Sequence, residues 1–414
     1  MRWAPGRPLP ERHAGAQIVW RFRCALTRMR ARVALRMVRL QGVGLIVMLG
    51  TSLPACGTDG EPEAPALSGV TAISAGFMSS CALLEDGTVS CWGWDFDDSI
   101  SAGAVTVQRI ADAVNVSVGN SHACAALSDG SVDCWGKLSR LTRAVGAGPA
   151  LALPVDGLYE AKAVAAGDNH RCALLADTTI KCWGWGALGD GSFTDRMGIW
   201  LPVSVTDLSD VTAVAVGGLS SCALTADGQV KCWGSTWHEG APATDETGAA
   251  RIYLATSLTP RAVEGLASAN SIATGQSSFC AALADTTAAC WGNGYLGDGT
   301  GRRISVTPVA VSGLTGAIAV STADSHSCAL LADGQVSCWG YNGSGQLGDG
   351  STTSSFVPVA VTGIDTAVAV SVGATHSCAL LADRTVRCWG GHAGGCANGT
   401  CRSSPIPVVV RTAP

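Results

Sequence analysis

The chain has 414 residues, 52 of them glycine, with 47% hydrophobic and only 14% charged residues and a formal net charge of −5; it is too apolar for a disordered chain and long enough for a substantial core. Residues 1–40 hold ten Arg, no Lys and one acid, whereas the remainder carries 17 basic against 31 acidic residues, a balance of −14. An acidic body without a basic patch argues against nucleic-acid binding, which depends on Lys and Arg neutralising phosphates.

The Arg-rich stretch contains Met29 and Met37 as alternative starts, and it leads into an apolar run at 43–53 (VGLIVMLGTSL). That run is shorter than the roughly 18 residues of a membrane span and suits the core of a secretory signal. It ends in Leu53-Pro54-Ala55-Cys56, which resembles the lipobox of bacterial lipoproteins. The resemblance implies cleavage before Cys56 and lipidation of that residue. With Gly57 next, it also implies export to the outer membrane of a Gram-negative envelope; the bland alternative is an ordinary signal peptide and a secreted protein. Residues 1–55 are therefore expected to be a signal peptide and 56–67 a lipidated Cys with a flexible acidic, Pro-containing tether. The membrane is to be met through the lipid anchor alone.

From residue 68 to 414 one thirteen-residue pattern recurs, first seen as Cys81-Ala82-Leu83-Leu84-Glu85-Asp86-Gly87-Thr88-Val89-Ser90-Cys91-Trp92-Gly93. Its cysteine pairs are Cys81 with Cys91, Cys124 with Cys134, Cys172 with Cys182, Cys222 with Cys232, Cys280 with Cys290, Cys328 with Cys338 and Cys378 with Cys388, all ten residues apart and all followed by Trp-Gly. Alternating apolar residues on both sides of Asp-Gly or its substitute read as a β-hairpin. If Cys81 opposes Cys91, then Leu84 opposes Thr88 and the loop is Glu85-Asp86-Gly87, with glycine at the left-handed position. The Cys pair then occupies a non-hydrogen-bonded site, where opposed Cα atoms lie roughly 4.5 Å apart and a cross-strand disulfide is feasible. An eighth pair, Cys396 with Cys401, flanks an Asn398-Gly399 hairpin turn, so no cysteine is left over after Cys24 and Cys56. Paired cysteines in regular positions read as disulfides made outside a reducing cytosol. The ten-residue spacing without Cys-x-x-Cys argues against zinc.

Seven units over 347 residues give a period near 50, which indicates a propeller or solenoid. Four short strands are legible within a period, at Pro308–Val311, Ala317–Ser321, Ser327–Leu331 and Gln335–Trp339, the content of one propeller blade. The first unit lacks a Pro-Val strand and the chain finishes with an unattached one, Ser404–Val410. The expected fold is thus an all-β, seven-bladed propeller, with the C-terminal strand completing the first blade so that no strand edge stays open.

The pattern Gly-x-x-His-Ser-Cys-Ala-Leu-Leu-x-Asp-Gly-x-Val-x-Cys-Trp-Gly-x-Asn-x-x-Gly-Gln-Leu-Gly-Asp-Gly, almost complete from Ser325-His326 through Gly340 to Gly350, resembles the regulator-of-chromosome-condensation repeat family. The resemblance runs through all seven units. It implies a seven-bladed propeller and a choice of roles that includes guanine-nucleotide exchange, domains of signalling proteins and secreted bacterial inhibitors of β-lactamases, so the fold does not fix the function. No counterpart of the inserted wedge of the nuclear exchange factor is visible.

Gly184–Gly189 and Gly292–Gly297 match Gly-x-Gly-x-x-Gly, but they follow a hairpin and lead into Asp-Gly turns instead of opening a helix; they read as blade-connecting turns. His122, His170, His326 and His376 stand two residues before the first Cys of their units, with Ser79, Ser220 and Ser278 in the other places. Spread around a ring, they read as hydrogen-bonded structural residues and not as a metal site. The seven Trp that follow the second cysteines read as inter-blade packing. Asp95-Phe96-Asp97-Asp98-Ser99 has the acidity of a calcium loop without its glycine and terminal glutamate, and Asp95, Asp97 and Asp98 are the residues that an enzyme reading would use. No Gly-x-Ser-x-Gly elbow or other catalytic constellation emerges, so neither an enzyme nor a metal or other cofactor is expected.

Copies differ most after the hairpin. Leu-Gly-Asp-Gly is kept at 188–191, 296–299 and 347–350, and replaced elsewhere; the largest replacement, 235–259, holds Trp237, His238, Glu239 and Tyr253. Aromatic residues on loops of a rigid scaffold are partner-binding anchors, against the alternative of a tolerated insertion. The sequence therefore points to a non-enzymatic, monomeric, disulfide-stapled propeller that binds a protein or cell-envelope ligand through its loops.

Overall fold

The computed structural model describes residues 64–94, 100–136, 151–236, 243–244, 250–251, 255–266, 268–323, 325–391 and 403–413. Seven four-stranded antiparallel sheets follow one another along the chain, with no helix among the described residues. In the first blade the strands are Val70–Ala75, Ser79–Leu84, Val89–Trp94 and Ile100–Thr106, hydrogen-bonded in that order from the axis outward. The expected hairpin is the middle pair: Cys81 faces Cys91 and Leu83 faces Val89, while the Leu84 N–H reaches the Thr88 carbonyl at 2.9 Å. Gly87 has φ 77°, and three copies hold Thr178, Thr286 and Arg384 in the same left-handed conformation at 64–67°.

The seven hairpin disulfides form as the spacing requires. Cys81 is bonded to Cys91, Cys124 to Cys134, Cys172 to Cys182 and Cys222 to Cys232. In the last three blades Cys280 is bonded to Cys290, Cys328 to Cys338 and Cys378 to Cys388. Their Cα atoms are 4.0–4.1 Å apart, slightly closer than the roughly 4.5 Å of an ordinary pair at that site. The eighth pair, Cys396 with Cys401, lies outside the described residues.

One expectation about the strands fails. The C-terminal strand Ser404–Val409 does not complete the first blade. It pairs with the last hairpin of the seventh, Cys388 opposite Val408, while the first blade is completed by its own Ile100–Thr106, with Cys91 opposite Val105. A Pro-Val strand is therefore the outer strand of the blade before it, because the hairpin leaves an open edge that the returning chain fills first. Its prolines (Pro154, Pro202, Pro260, Pro308, Pro358, Pro405 and Pro407) fall on this outer strand, where a missing N–H can face solvent. The first blade's outer strand has no proline, which hid it in the sequence. The tail beyond this strand hydrogen-bonds across the seam: Leu67 N–H donates to the Val410 carbonyl and Ala104 N–H to that of Arg411, both at 2.9 Å.

The blades close into a ring through two backbone belts. At one end, the carbonyl of the third turn residue accepts the first N–H of the next blade's inner strand: Gly87 from Ala113, Gly130 from Ala161, Thr178 from Val211, Gly228 from Ala269, Thr286 from Ala317, Gly334 from Ala367 and Arg384 from Val70, at 2.8–3.2 Å. The last of these joins blade seven to blade one, and Arg384 also pairs with Glu85 there. At the other end, the inner strands are followed directly by Gly76, Gly119, Gly167, Gly217, Gly275, Ala323 and Gly373. The N–H after four of these positions (Phe77, Asp168, Gly218 and Ala374) donates to the next blade's ring carbonyl at 3.3 Å. Side chains add stitches between inner strands, as where Ser74 Oγ accepts from Val118 N–H at 3.0 Å and Ser371 Oγ from Ala75 N–H at 2.8 Å.

Candidate functional site

The strand order fixes what each end of the ring carries. The hairpin turns and the links between blades emerge at one end, here the turn face. The segments between third and fourth strands emerge at the other, here the loop face, next to the turns that leave the inner strands. Hydrogen bonds tie the two loop-face segments together, for example Trp185 N–H to the Asn169 carbonyl and Tyr341 N–H to that of Ser325.

The hairpin turns of the turn face are near-copies of one another. Six of their aspartates (Asp86, Asp129, Asp177, Asp227, Asp285 and Asp383) are held below the usual carboxylate range, first by a neighbouring Ser or Thr hydroxyl and then by a backbone N–H. Such groups cap their turns and stay ionised.

The walls between blades hold the histidines. His170 Nε2 lies 2.7 Å from Ser221 Oγ, His326 Nε2 2.8 Å from Ser377 Oγ and His376 Nε2 2.7 Å from Ser80 Oγ, each pair spanning neighbouring blades. Ser377 gives its proton to the Gln346 carbonyl at 3.0 Å, so His326 Nε2–H is the donor in its pair. The same carbonyl accepts Trp389 Nε1–H at 2.9 Å. Burial holds His170 down to about 4, and His326 and His376 to about 3; all are neutral at physiological pH and closed to solvent. The seven Trp are buried and pack with the previous blade's disulfide, as Trp92 does with Cys378 and Cys388. Leu188, Leu296 and Leu347 of the Leu-Gly-Asp-Gly loops fill the same seams against Trp233, Trp339 and Trp389. The two Gly-x-Gly-x-x-Gly segments are thus strand ends and seam-filling loops, with no helix behind them.

One seam differs. Where other blades place Ser80, Ser221, Ser327 or Ser377, blade three has Arg171, only 1% exposed. Among the described residues none of its three guanidinium nitrogens has a hydrogen-bond partner, and neither has Nε2 of His122 across the seam. Burial lowers the Arg171 pKa to about 9, so the charge persists at pH 7, and removing one partner-less buried charge should stabilise the protein. Arg171→Met is expected to raise the unfolding free energy by about 2 kcal/mol, read from the denaturant midpoint; a lowered midpoint contradicts this.

The loop face is where the copies diverge; large apolar groups are exposed there as well as on the turn face, where Tyr159 of the link between blades two and three is 75% exposed. Phe193 is 53% exposed and meets Trp185 edge-on at 6.4 Å, Tyr341 is 46% exposed, and Ile406 is 46% exposed. Between blades five and six, Tyr295 and Phe356 lie 5.0 Å apart, with the Arg303 guanidinium 3.8 Å above the tyrosine ring and hydrogen-bonded to its hydroxyl at 2.8 Å. These anchors were missed in the sequence because Phe356 becomes a neighbour of Tyr295 only through blade packing. The anchors read from the sequence, Trp237, His238, Glu239 and Tyr253, lie outside the described residues, as do Cys56, Cys396, Cys401, Asp95, Asp97 and Asp98. Their segment, 235–259, does join the third and fourth strands of blade four, which places its ends at the loop face.

Along the axis, the loop-face half of the ring encloses a cavity of about 420 Å³ walled by all seven inner strands. Asp168 is the ionisable side chain in that wall, and burial raises its carboxyl pKa, partly opposed by the Gln276 amide. Asp133 is also raised, by burial and then by Asp129, but it sits on a hairpin strand of blade two, so these two acids form no catalytic pair. Among the described residues no three His, Cys, Asp or Glu gather as metal ligands.

Five segments, 70–97, 113–137, 211–236, 317–346 and 367–396, match a model of the regulator of chromosome condensation (RCC1) repeat, and a second model of that repeat matches 333–380. No curated protein matches the chain. Among solved structures, human WBSCR16 is similar with a TM-score of 0.60 at 22% identity, over 73% of this chain and 84% of that one. Prp20p from Saccharomyces cerevisiae, studied for binding to Gsp1p and histones, gives 0.59 at 19% identity over 76% and 81%. Yeast RCC1 (Prp20) in complex with Kap60 gives 0.62 at 17% identity over 92% and 90%. These likenesses concern the fold. The repeat matches fall on blades one, two, four, six and seven, and over those segments the chain is similar to the regulator of chromosome condensation (RCC1) repeat.

Proposed function

We propose that this protein is a non-enzymatic binding scaffold of the bacterial cell envelope, tethered through a lipidated Cys56 and taking a protein or envelope ligand on its loop face. The observation that carries the reading is the division between the two ends of the ring. One is seven near-copies of a capped turn, with Tyr159 exposed on one link; the other collects the variable segments together with exposed Phe193 and Tyr341 and the Tyr295–Arg303–Phe356 cluster, whose two rings are half-buried. Aromatic and Arg side chains in such settings supply most of the energy of an interface. Seven disulfides support an oxidising compartment, and the apolar run before Cys56 supports export. Carboxylates committed to turns and histidines sealed in seams support a binding role over a catalytic one.

The test is partner recovery from cell envelopes by the full protein and two variants. Tyr295→Ala with Phe356→Ala should weaken binding about 30-fold or more, and removal of 237–254 should also weaken it. Unchanged recovery by both would remove the loop face from consideration.

A further inference from the structure

The axial cavity has a feature that the loops do not share. Its wall is backbone and small side chains from seven inner strands, and Asp168 is the ionisable side chain that lines it. The carboxylate stands beside Gly218, where an added Cβ would lie 3.4 Å from Asp168 Oδ2 and 3.1 Å from the Gln276 Cα. Glycine there keeps the space between Asp168 and Gln276 open. Phe77 of blade one, partly buried, lines the same cavity. Among the described residues no Lys or Arg lines it, so none of them supplies the carboxylate with a cation in the cavity.

We infer that the cavity binds an alkylammonium or alkylguanidinium group, its charge at Asp168 and its aliphatic arm along the axial wall. A volume near 420 Å³ is at the small end for ligand sites and suits one long basic side chain or a short amine. A hard divalent cation fits poorly, because it requires six or more oxygen ligands. Here one carboxylate is present, and the carbonyls of Gly76, Gly119, Gly217 and Gly275 already accept N–H groups. This inference rests on the loop face being the binding face, because the cavity lies in that half of the ring. It names the chemistry that a partner would insert there, a lysine or arginine side chain.

The experiment titrates the full oxidised protein at pH 7.5 with 1,5-diaminopentane, with a Gly-Lys-Gly peptide and with 1-pentanol, following amide resonances of Phe77, Asp168, Gly218 and Gln276. Saturable shifts are expected with a charged probe and none with the alcohol. Asp168→Asn, which keeps the shape and the Gln276 contact, should weaken charged-probe binding about tenfold or more, as loss of a charge-assisted contact does. Response to the peptide assigns the site to a partner's side chain, and response to the diamine alone assigns it to a free amine; both uphold the inference. Absence of shifts with both charged probes, or equal binding by Asp168→Asn, overturns it. Because the probes are small molecules, these outcomes are independent of partner recovery by the loop variants.

Discussion

Replacing Gly217 with alanine is expected to destabilise the propeller by about 3 kcal/mol or more. Six of the seven inner strands are followed directly by glycine, and the ring these glycines form is too tight for a side chain. A Cβ on Gly217 would lie 2.0 Å from the Gly275 carbonyl oxygen and 3.0 Å from its carbon, with backbone and not a flexible side-chain tip as the obstacle. The same approach repeats at Gly76, Gly119, Gly167, Gly275 and Gly373, where a Cβ would meet the next blade's carbonyl oxygen at 2.0–2.3 Å. Gly217 does not have a positive φ, so the cost arises from contact between blades and not from conformation. To fit the methyl, blades four and five must separate and give up the Gly218 N–H bond to Gly275; overpacking costs about 1–3 kcal/mol, occasionally more, before that loss is counted. Ala323→Gly at the seventh place serves as the control and should change stability by under about 1 kcal/mol. Urea midpoints of the oxidised proteins check both.

Acid should unfold the protein through its seams. The folded-state pKa of His170 is about 4 and those of His326 and His376 about 3, and burial, with the Arg171 charge next, holds His122 well below 6.5. A depressed histidine binds its proton in the unfolded chain first. Its stabilising contribution is complete above about pH 6.5, declines as pH falls below that value and is fully lost near pH 3–4. Each such group contributes a slope of up to about 1.4 kcal/mol per pH unit inside the window. Several acting together would produce a steep loss between about pH 6 and 4, beyond what the exposed turn aspartates give at lower pH. Thermal midpoints from pH 7.5 to 4 test this. The prediction is a marked fall that is reduced in His326→Gln with His376→Gln; a flat profile, or one unaffected by these substitutions, contradicts it.

The repeated hairpin was legible because a disulfide, a turn glycine and strand alternation all fix the same register; Cys81 meets Cys91 as the spacing alone requires. The number of blades followed from the repeat. Assignment of the Pro-Val strand did not, since its place between two hairpins leaves open which edge captures it. The histidines read as hydrogen-bonded structural residues, yet the partners of His170 and His326 lie some fifty residues on and that of His376 lies across the ring closure, in the column Ser80, Ser221, Ser377, which a reading within single units passes over. That column also contains Arg171, the one charged residue among small or apolar ones. The glycine ring appears in the repeat as the Gly of Gly-x-x-His, but its reason is the carbonyl of the neighbouring blade, which only ring closure brings near.

Whether partners are taken at the loop face is tested most directly by site-specific photo-cross-linking in intact cells. The reactive side chain is placed at Tyr341 on the loop face or at Asp333 on the turn face of the same blade. Adducts are expected from position 341 and none from position 333. Adducts from 333 with none from 341 would contradict binding at the loop face.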